Sequence, residues 1–240
     1  MIYKSQIETI LTKSGLNKLF ENFEIDFQQT YFVGGVVRSI FFNEQDCYDL
    51  DIVVPKLKEN MVNFLSQNYE VQYYPSYKSL CFKNQNYEIQ INSFRKDISS
   101  TGRHTKTIET SSLKEDSKRR DFTINSVYLN LNGEVFDFYS GIEHLKKNLV
   151  KFIFDPIDQI QKDYLRAIRY IRFLSLFKNP LTESLDIEAI LLLSKNIFEF
   201  VKKNKIKEEF SKLSKMPYPK NSLKFIQDHK ELNRLLEFLK

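Results

Sequence analysis

The stretch Tyr48–Val54, YDLDIVV, decides how the rest of the chain is read. Leu50, Ile52, Val53 and Val54 are apolar and mostly β-branched, the composition of a strand entering a core. Successive side chains on a strand point to opposite faces, so Asp49 and Asp51 share one. Two carboxylates held that close repel each other and destabilise the strand. A divalent cation resolves the conflict. A hard ion such as Mg²⁺ takes oxygen ligands, one or two of them protein carboxylates, with water and substrate phosphates completing the shell. Its charge reverses the local electrostatics, so a pair that is costly when empty becomes favourable when filled.

Fourteen residues separate Asp49 from Gly35 in the segment YFVGGVVR. A strand, two glycines and a helix start would present backbone N–H groups and a positive helix end to a phosphate. Gly35 lets the backbone approach closely, and Arg38, in the first helical turn, is placed to pair with a phosphate oxygen. Small residues also suit an ordinary strand-to-helix turn, but Gly34, Gly35, Arg38, Asp49 and Asp51 within one short span favour an anion-and-metal site.

Composition narrows the class. The 240 residues are 42% hydrophobic and 28% charged, which is globular. No apolar run approaches the roughly 20 residues that a membrane span needs. The start, MIYKSQIETI, turns polar and acidic too early for a signal peptide. Cys47 and Cys81 lack metal-ligand spacing, and His104, His144 and His229 are scattered, so no zinc site is expected. A cytoplasmic protein without membrane association is the expectation. The net charge of +5 points to an anionic partner. Of 27 Lys and 9 Arg, eight of the Arg fall between residues 38 and 172. Arginine offers a planar fork suited to phosphates and base edges, so in a lysine-rich chain its placement is selective.

The periodicity predicts a helix over residues 1–20, from Ile7, Ile10, Leu11, Leu16 and Leu19. Strands follow at TYFV and DLDIVV, a helix lies between them at VVRSIFF, and a further helix is predicted over Lys58–Asn68. YEVQYY, SLCFKN and YEIQINSFR read as antiparallel strands. Residues 97–112, DISSTGRHTKTIETSS, read as a polar mobile loop. Asn132-Gly133 between SVYLNL and EVFDFY is a hairpin turn. Beyond Asp155-Pro156 the pattern is helical to the end. The layout is an α/β head over residues 1–150, with a mixed or antiparallel sheet and flanking helices, followed by an all-helical part over 151–240.

VGGVVRSIFFNEQDCYDLDIVV resembles motif A of the class II nucleotidyltransferases, the CCA-adding enzymes (tRNA nucleotidyltransferases) and bacterial poly(A) polymerases. TGRHTKTIET is similar to that family's flexible loop, KRRDFTIN to its ribose-reading motif B, and DFYSGIEHL to the following hinge segment. KDYLRAIRYIRF is similar to motif D, usually written EDxxR. The resemblance covers roughly residues 30–177, with its motifs in order. It implies a nucleotidyltransferase fold and Mg²⁺-dependent, template-independent addition of C, C and A to a tRNA 3′ end from CTP and ATP, with release of pyrophosphate. Addition of only CC or only A, a poly(A) polymerase, or a non-catalytic RNA-binding remnant are the alternatives.

Carried over by position, Asp49 and Asp51 would be the catalytic metal ligands. Gly34, Gly35 and Arg38 would contact the triphosphate. Arg119, Arg120, Asp121 and Asn125 would contact the sugar-phosphate of the incoming nucleotide. Asp163 and Arg166 would read the base edge on a helix of about 158–177, with Arg169 and Arg172 lining the same pocket. The three-residue recurrence of Asp163, Arg166 and Arg169 predicts one helix face. Leu165, Ile168, Ile171 and Leu174 form a parallel stripe expected to pack against the head. Three positions depart from the family pattern: Ser39 for the Asp of GGxVRD, Lys162 for the Glu of EDxxR, and Gln90 where a strand acid is often found. The tail after residue 177 is short for the body and tail regions that grip tRNA in this family. Residues 178–240 carry 12 Lys and 1 Arg against 9 acids, which suits RNA phosphates. Monomer and homodimer both remain open on the sequence.

Overall fold

The computed structural model describes residues 3–44, 47–101 and 104–239. Two helices, α1 (Lys4–Ser14) and α2 (Leu16–Asn22), replace the single one predicted over residues 1–20, whose Met1 and Ile2 lie outside the described residues. Gly15 makes the break: at φ 74° it adopts the left-handed conformation open to glycine, and its N–H bonds the Thr12 carbonyl.

The next elements follow the predicted order: β1 (Tyr31–Val33), α3 (Gly35–Phe42), β2 (Asp49–Val54), α4 (Glu59–Asn68), β3 (Val71–Tyr74), β4 (Ser79–Asn84) and β5 (Tyr87–Ser93). After them come β6 (Arg95–Thr101), β7 (His104–Glu109), α5 (Leu113–Ser117), β8 (Val127–Asn130) and β9 (Val135–Asp137). Seven strands form one mixed sheet in the order β3-β4-β5-β2-β1-β8-β9. β2 lies inside it, antiparallel to β1 and parallel to β5. Asn132-Gly133 turns β8 into β9 as expected, with Gly133 at φ 91°.

The strand alternation around the aspartates holds. Leu50 and Ile52 are buried on the face opposite Asp49 and Asp51. α3 packs against β1, β2 and β8, which fixes the helix carrying Arg38 on the sheet. On the aspartate side, Tyr31, Val33, Val53, Phe94 and Tyr128 form a small core of their own.

The polar segment 97–112 differs from the loop expectation. β6 and β7 form a two-stranded sheet, with Gly102 and Arg103 outside the described residues. A ribbon whose side chains need no buried face can be polar, because cross-strand backbone hydrogen bonds satisfy its amides. Its β-branched Ile98, Thr107 and Ile108 favour extended backbone.

The chain continues through α6 (Gly141–Lys146), β10 (Leu149–Val150), α7 (Pro156–Lys162), α8 (Leu165–Leu174), β11 (Leu181–Thr182), α9 (Ser184–Leu192), α10 (Ser194–Phe200), α11 (Lys203–Leu213) and α12 (Pro219–Asp228). A 3₁₀ helix spans Lys230–Leu239. The region beyond Asp155 is thus helical apart from β11, which pairs in parallel with β10. The residues cluster into two compact units. One runs to Asp97 and adds Thr107–Arg120 and Asn125–Gly141; the other takes Ile98–Lys106, Asp121–Ile124 and Ile142 onward.

In the second unit the stripe Leu165, Ile168, Ile171 and Leu174 is buried in the unit's own core. That core includes Ile190, Ile197, Phe210 and Ile226 from α9 to α12, besides Phe122, Ile124, Leu145 and Val150. The stripe therefore packs largely on the helices that follow it. Among the described residues no helix is long and apolar enough to cross a membrane.

Candidate active site

In the first unit, β1 ends at Val33 and passes through Gly34 to α3. Gly34 sits at φ 72°, ψ −124°, a conformation that side chains rarely adopt. A Cβ there would lie 3.3 Å from Asp51 Oδ2. The turn thus leaves room for the carboxylate because residue 34 has no side chain. Asp49 and Asp51 share a face of β2, Asp49 exposed and Asp51 half-buried. Across the parallel pairing, Asp51 stands beside Gln90, whose amide donates to Ser79 Oγ at 3.1 Å and to Asn92 Oδ1 at 3.2 Å. The family's strand acid is here a neutral amide held by the sheet's own polar groups.

Arg38, one turn into α3, donates through Nη1 to Asn125 Oδ1, so two candidate nucleotide contacts are coupled. Ser39 donates to Glu44 Oε2 at 2.8 Å, which gives its hydroxyl a local partner.

Asp116, missed by the sequence reading, organises the next group. Its carboxylate is fully buried and receives Arg119 Nε at 2.9 Å, Arg120 Nη2 at 3.3 Å, the Tyr128 hydroxyl at 2.8 Å and the backbone N–H of Arg95 at 3.1 Å. Arg120 Nε also donates to the Tyr128 oxygen at 2.7 Å. Burial opposes the charge of Asp116, but Arg119 and Arg120 outweigh it and hold its pKa below the usual carboxylate value. Burial likewise opposes the charge on Arg120, yet Tyr128 and Asp116, with a contribution from Asp51, keep its pKa above normal. For Arg95 burial prevails, reinforced by Arg119, and its pKa is pushed down to about 10.

In the second unit the predicted helix of about 158–177 is two helices. Asp163 caps α7 in extended conformation, φ −155°, and its Oδ1 accepts the Leu165 N–H at 3.0 Å, starting α8 anew. Asp163 and Arg166 therefore do not lie along one continuous helix face. They remain adjacent, because the Arg166 N–H bonds the Asp163 carbonyl at 2.9 Å. Arg166 also donates to Gln159 Oε1, on α7. Arg169 pairs with Asp121 Oδ2 at 2.6 Å, joining two candidates that lie far apart in sequence. Arg172 pairs with buried Glu209 Oε2 at 2.7 Å and lies over the Phe173 ring at 4.3 Å. Arg172 is thus tied into the core between α8 and α11.

Asp116, Tyr128, Gln159 and Glu209 escaped the sequence reading. Only Asp116 carried a signal there, standing three and four residues before Arg119 and Arg120, the spacing of neighbours on one helical turn.

Among the described residues no group of three or more His, Cys, Asp and Glu could hold a metal ion. The two carboxylates on β2 fit a Mg²⁺ ion that draws its remaining oxygens from water and substrate, and a side chain at residue 34 would crowd Asp51 Oδ2. A cavity of about 1040 Å³ in this unit lies at the opposite end of β2, lined by Val54, Pro55, Lys56 and Lys58 among others, away from this pair.

The fold is that of a nucleotidyltransferase. Its architecture matches Bacillus stearothermophilus CCA-adding enzyme in complex with CTP at TM-score 0.72 and 21% identity, over 89% of this chain and 50% of that one. It matches a tRNA nucleotidyltransferase complexed with a primer tRNA and an incoming ATP analog at TM-score 0.70 and 21% identity, over 87% and 59%. In sequence, a CCA-adding enzyme of Lactobacillus helveticus is 29% identical over 203 residues, 83% of this chain and 49% of that protein. The mitochondrial CCA tRNA nucleotidyltransferase 1 of Homo sapiens is 29% identical over 170 residues, 70% and 39%. The chain thus spans about half the length, or less, of the curated relatives it matches. Residues 30–151 match the family described as Poly A polymerase head domain, and the chain belongs to that family. The resemblance read from motif A is thereby borne out.

Proposed function

We propose that this protein is a tRNA nucleotidyltransferase that adds C, C and A to tRNA 3′ ends from CTP and ATP, with Mg²⁺ as cofactor and pyrophosphate as the second product. The observation that carries the reading is the convergence, within one compact unit, of the β2 aspartate pair, the Gly34 turn and the Arg38–Asn125 pair. Asp49 and Asp51 would hold Mg²⁺, which when bound would lower the pKa of the primer hydroxyl and neutralise the triphosphate. Arg38, Gly34 and Gly35 would bind the triphosphate at the start of α3, where backbone N–H groups and the helix dipole favour anions. Arg119, Arg120 and Asn125 would orient the sugar-phosphate. Asp163 and Arg166 would read the base edge as acceptor and donor, with Asp121 and Arg169 as a neighbouring pair. The tRNA 3′ end is the partner this reading requires, and the lysine-rich helices α11 and α12 supply positive charge for phosphates.

Primer extension at single-nucleotide resolution tests it. The substrates are tRNAs ending before CCA, after the first C or after CC, with Mg²⁺ and CTP, ATP or both. Three additions followed by arrest are expected, and Asp49→Ala should abolish them while leaving the fold intact. Addition of only CC or only A, or a long A ladder, would replace the CCA reading with a narrower or different polymerase. RNA binding without any addition would overturn the enzyme reading.

A further inference from the structure

We propose that Asp116 is a positioning residue: it holds the Arg119–Arg120 pair in place and anchors the first residue of β6 to the same carboxylate. The inference rests on the reading of Arg119 and Arg120 as nucleotide contacts. Three observations carry it. Asp116 is 0% exposed and receives four separate donors, two on each oxygen. Its place is set locally: Ser112 Oγ caps α5 by accepting the Glu115 N–H at 3.3 Å, so the residue that follows Glu115 projects from a fixed turn. Its donors come from α5's own C-terminal side, from β8 and from β6, so one carboxylate ties three segments together.

The physical consequence follows from charge. Arg119 and Arg120 crowd one carboxylate whose other donors are the Tyr128 hydroxyl and the Arg95 N–H, and burial, reinforced by Arg119, holds the Arg95 pKa below its usual value. The anion lets two guanidiniums stay side by side before any phosphate arrives. Arg120 is fixed twice over, through Nη2 to Asp116 and through Nε to the Tyr128 hydroxyl, which itself donates to Asp116. A neutral amide at 116 would keep the shape and could accept from Tyr128 or from the Arg95 N–H. It would lose the charge, and its NH₂ would face guanidinium donors. The arginines would then separate, and the nucleotide would have to bring them back together on binding. The Arg95 N–H anchor means that the start of β6 loosens with them.

The test uses the full chain. Asp116→Asn should raise the KM for CTP at least tenfold while kcat stays within threefold, and should speed hydrogen exchange at the amides of residues 95–97. An unchanged KM, or a loss confined to kcat, would overturn the positioning role. If Asp116→Asn does not fold, Tyr128→Phe decides. It keeps both ion pairs and removes only the phenolic oxygen that fixes Arg120 Nε, so KM should rise several-fold; an unchanged KM overturns the proposal. A wild-type chain that neither binds CTP nor transfers nucleotides would instead overturn the proposed function. The exchange measurement then decides Asp116 by itself, and protection at residues 95–97 unaltered by Asp116→Asn sinks the anchor.

Discussion

Gly34→Ala perturbs backbone and carboxylate at once. At φ 72°, ψ −124°, residue 34 occupies a region nearly closed to side chains, and placing alanine there costs on the order of 1–3 kcal/mol. The new Cβ would also stand 3.3 Å from Asp51 Oδ2, closer than such contacts normally come, so the carboxylate must give by a few tenths of an ångström. For a domain of this size each kcal/mol shifts the unfolding midpoint by roughly 2–4 °C, which predicts a fall of roughly 2–12 °C. Because the carboxylate that moves is a proposed Mg²⁺ ligand, the Mg²⁺ concentration needed for half-maximal transfer should rise several-fold. Calorimetric melting and a Mg²⁺ titration of primer extension measure the two effects. A variant with wild-type melting and a wild-type Mg²⁺ requirement would refute both the strained turn and the contact.

Three further changes separate structural from substrate-reading roles. Asp163→Ala should blur discrimination among nucleotides and, by removing the acceptor for the Leu165 N–H, cost about 1 kcal/mol of stability; unchanged discrimination in single-nucleotide competition refutes the template role. Glu209→Gln should destabilise the second unit by about 3–5 kcal/mol in denaturant melts, because it leaves the buried Arg172 charge without its ionic partner; a near-neutral effect would return Arg172 to the nucleotide pocket. Asp186 is buried and its Oδ2 accepts the Phe152 N–H at 3.2 Å; burial pushes its pKa up to about 7 from 3.8. The folded state therefore keeps a proton that the unfolded chain releases, so the contribution of Asp186 to stability is greatest below about pH 4 and falls as pH rises towards 7, by up to about 1.4 kcal/mol per unit. Asp186→Asn should flatten that slope in melts between pH 4 and 8, and identical slopes would refute it.

What was legible in the sequence follows from the range of the forces involved. β2, the Gly34 turn and α3 are set by nearest-neighbour alternation and backbone freedom, and these read directly from YFVGGVVR and YDLDIVV. The single N-terminal helix failed at Gly15 because apolar spacing carries across a break that only a positive φ reveals. The segment 97–112 was misread because polarity marks a loop only when a strand must bury a face, and a two-stranded ribbon need not. The helix through Asp163 failed for a different reason: an Asp that fits a three-residue repeat can equally bond the N–H two residues ahead and end the turn.

The arginines show where sequence reading stops. A guanidinium fork suits a carboxylate as well as a phosphate, so the residue type cannot say which it meets. Arg119 and Arg120 meet Asp116 from within one turn, but Arg169 meets Asp121 from 48 residues away and Arg172 meets Glu209 from 37. Each of these partners is itself largely buried, which is why arginine, able to satisfy a carboxylate in a fixed plane, stands at these places in a chain otherwise rich in lysine. Paired in advance, such an arginine stays in place without ligand, at the expense of part of its attraction for one. Asp121 and Arg169 can then act together on a base edge only if the nucleotide competes for a bond that already exists. The arginine set of a family motif therefore divides by partner, and the partner, unlike the arginine, is settled by tertiary packing.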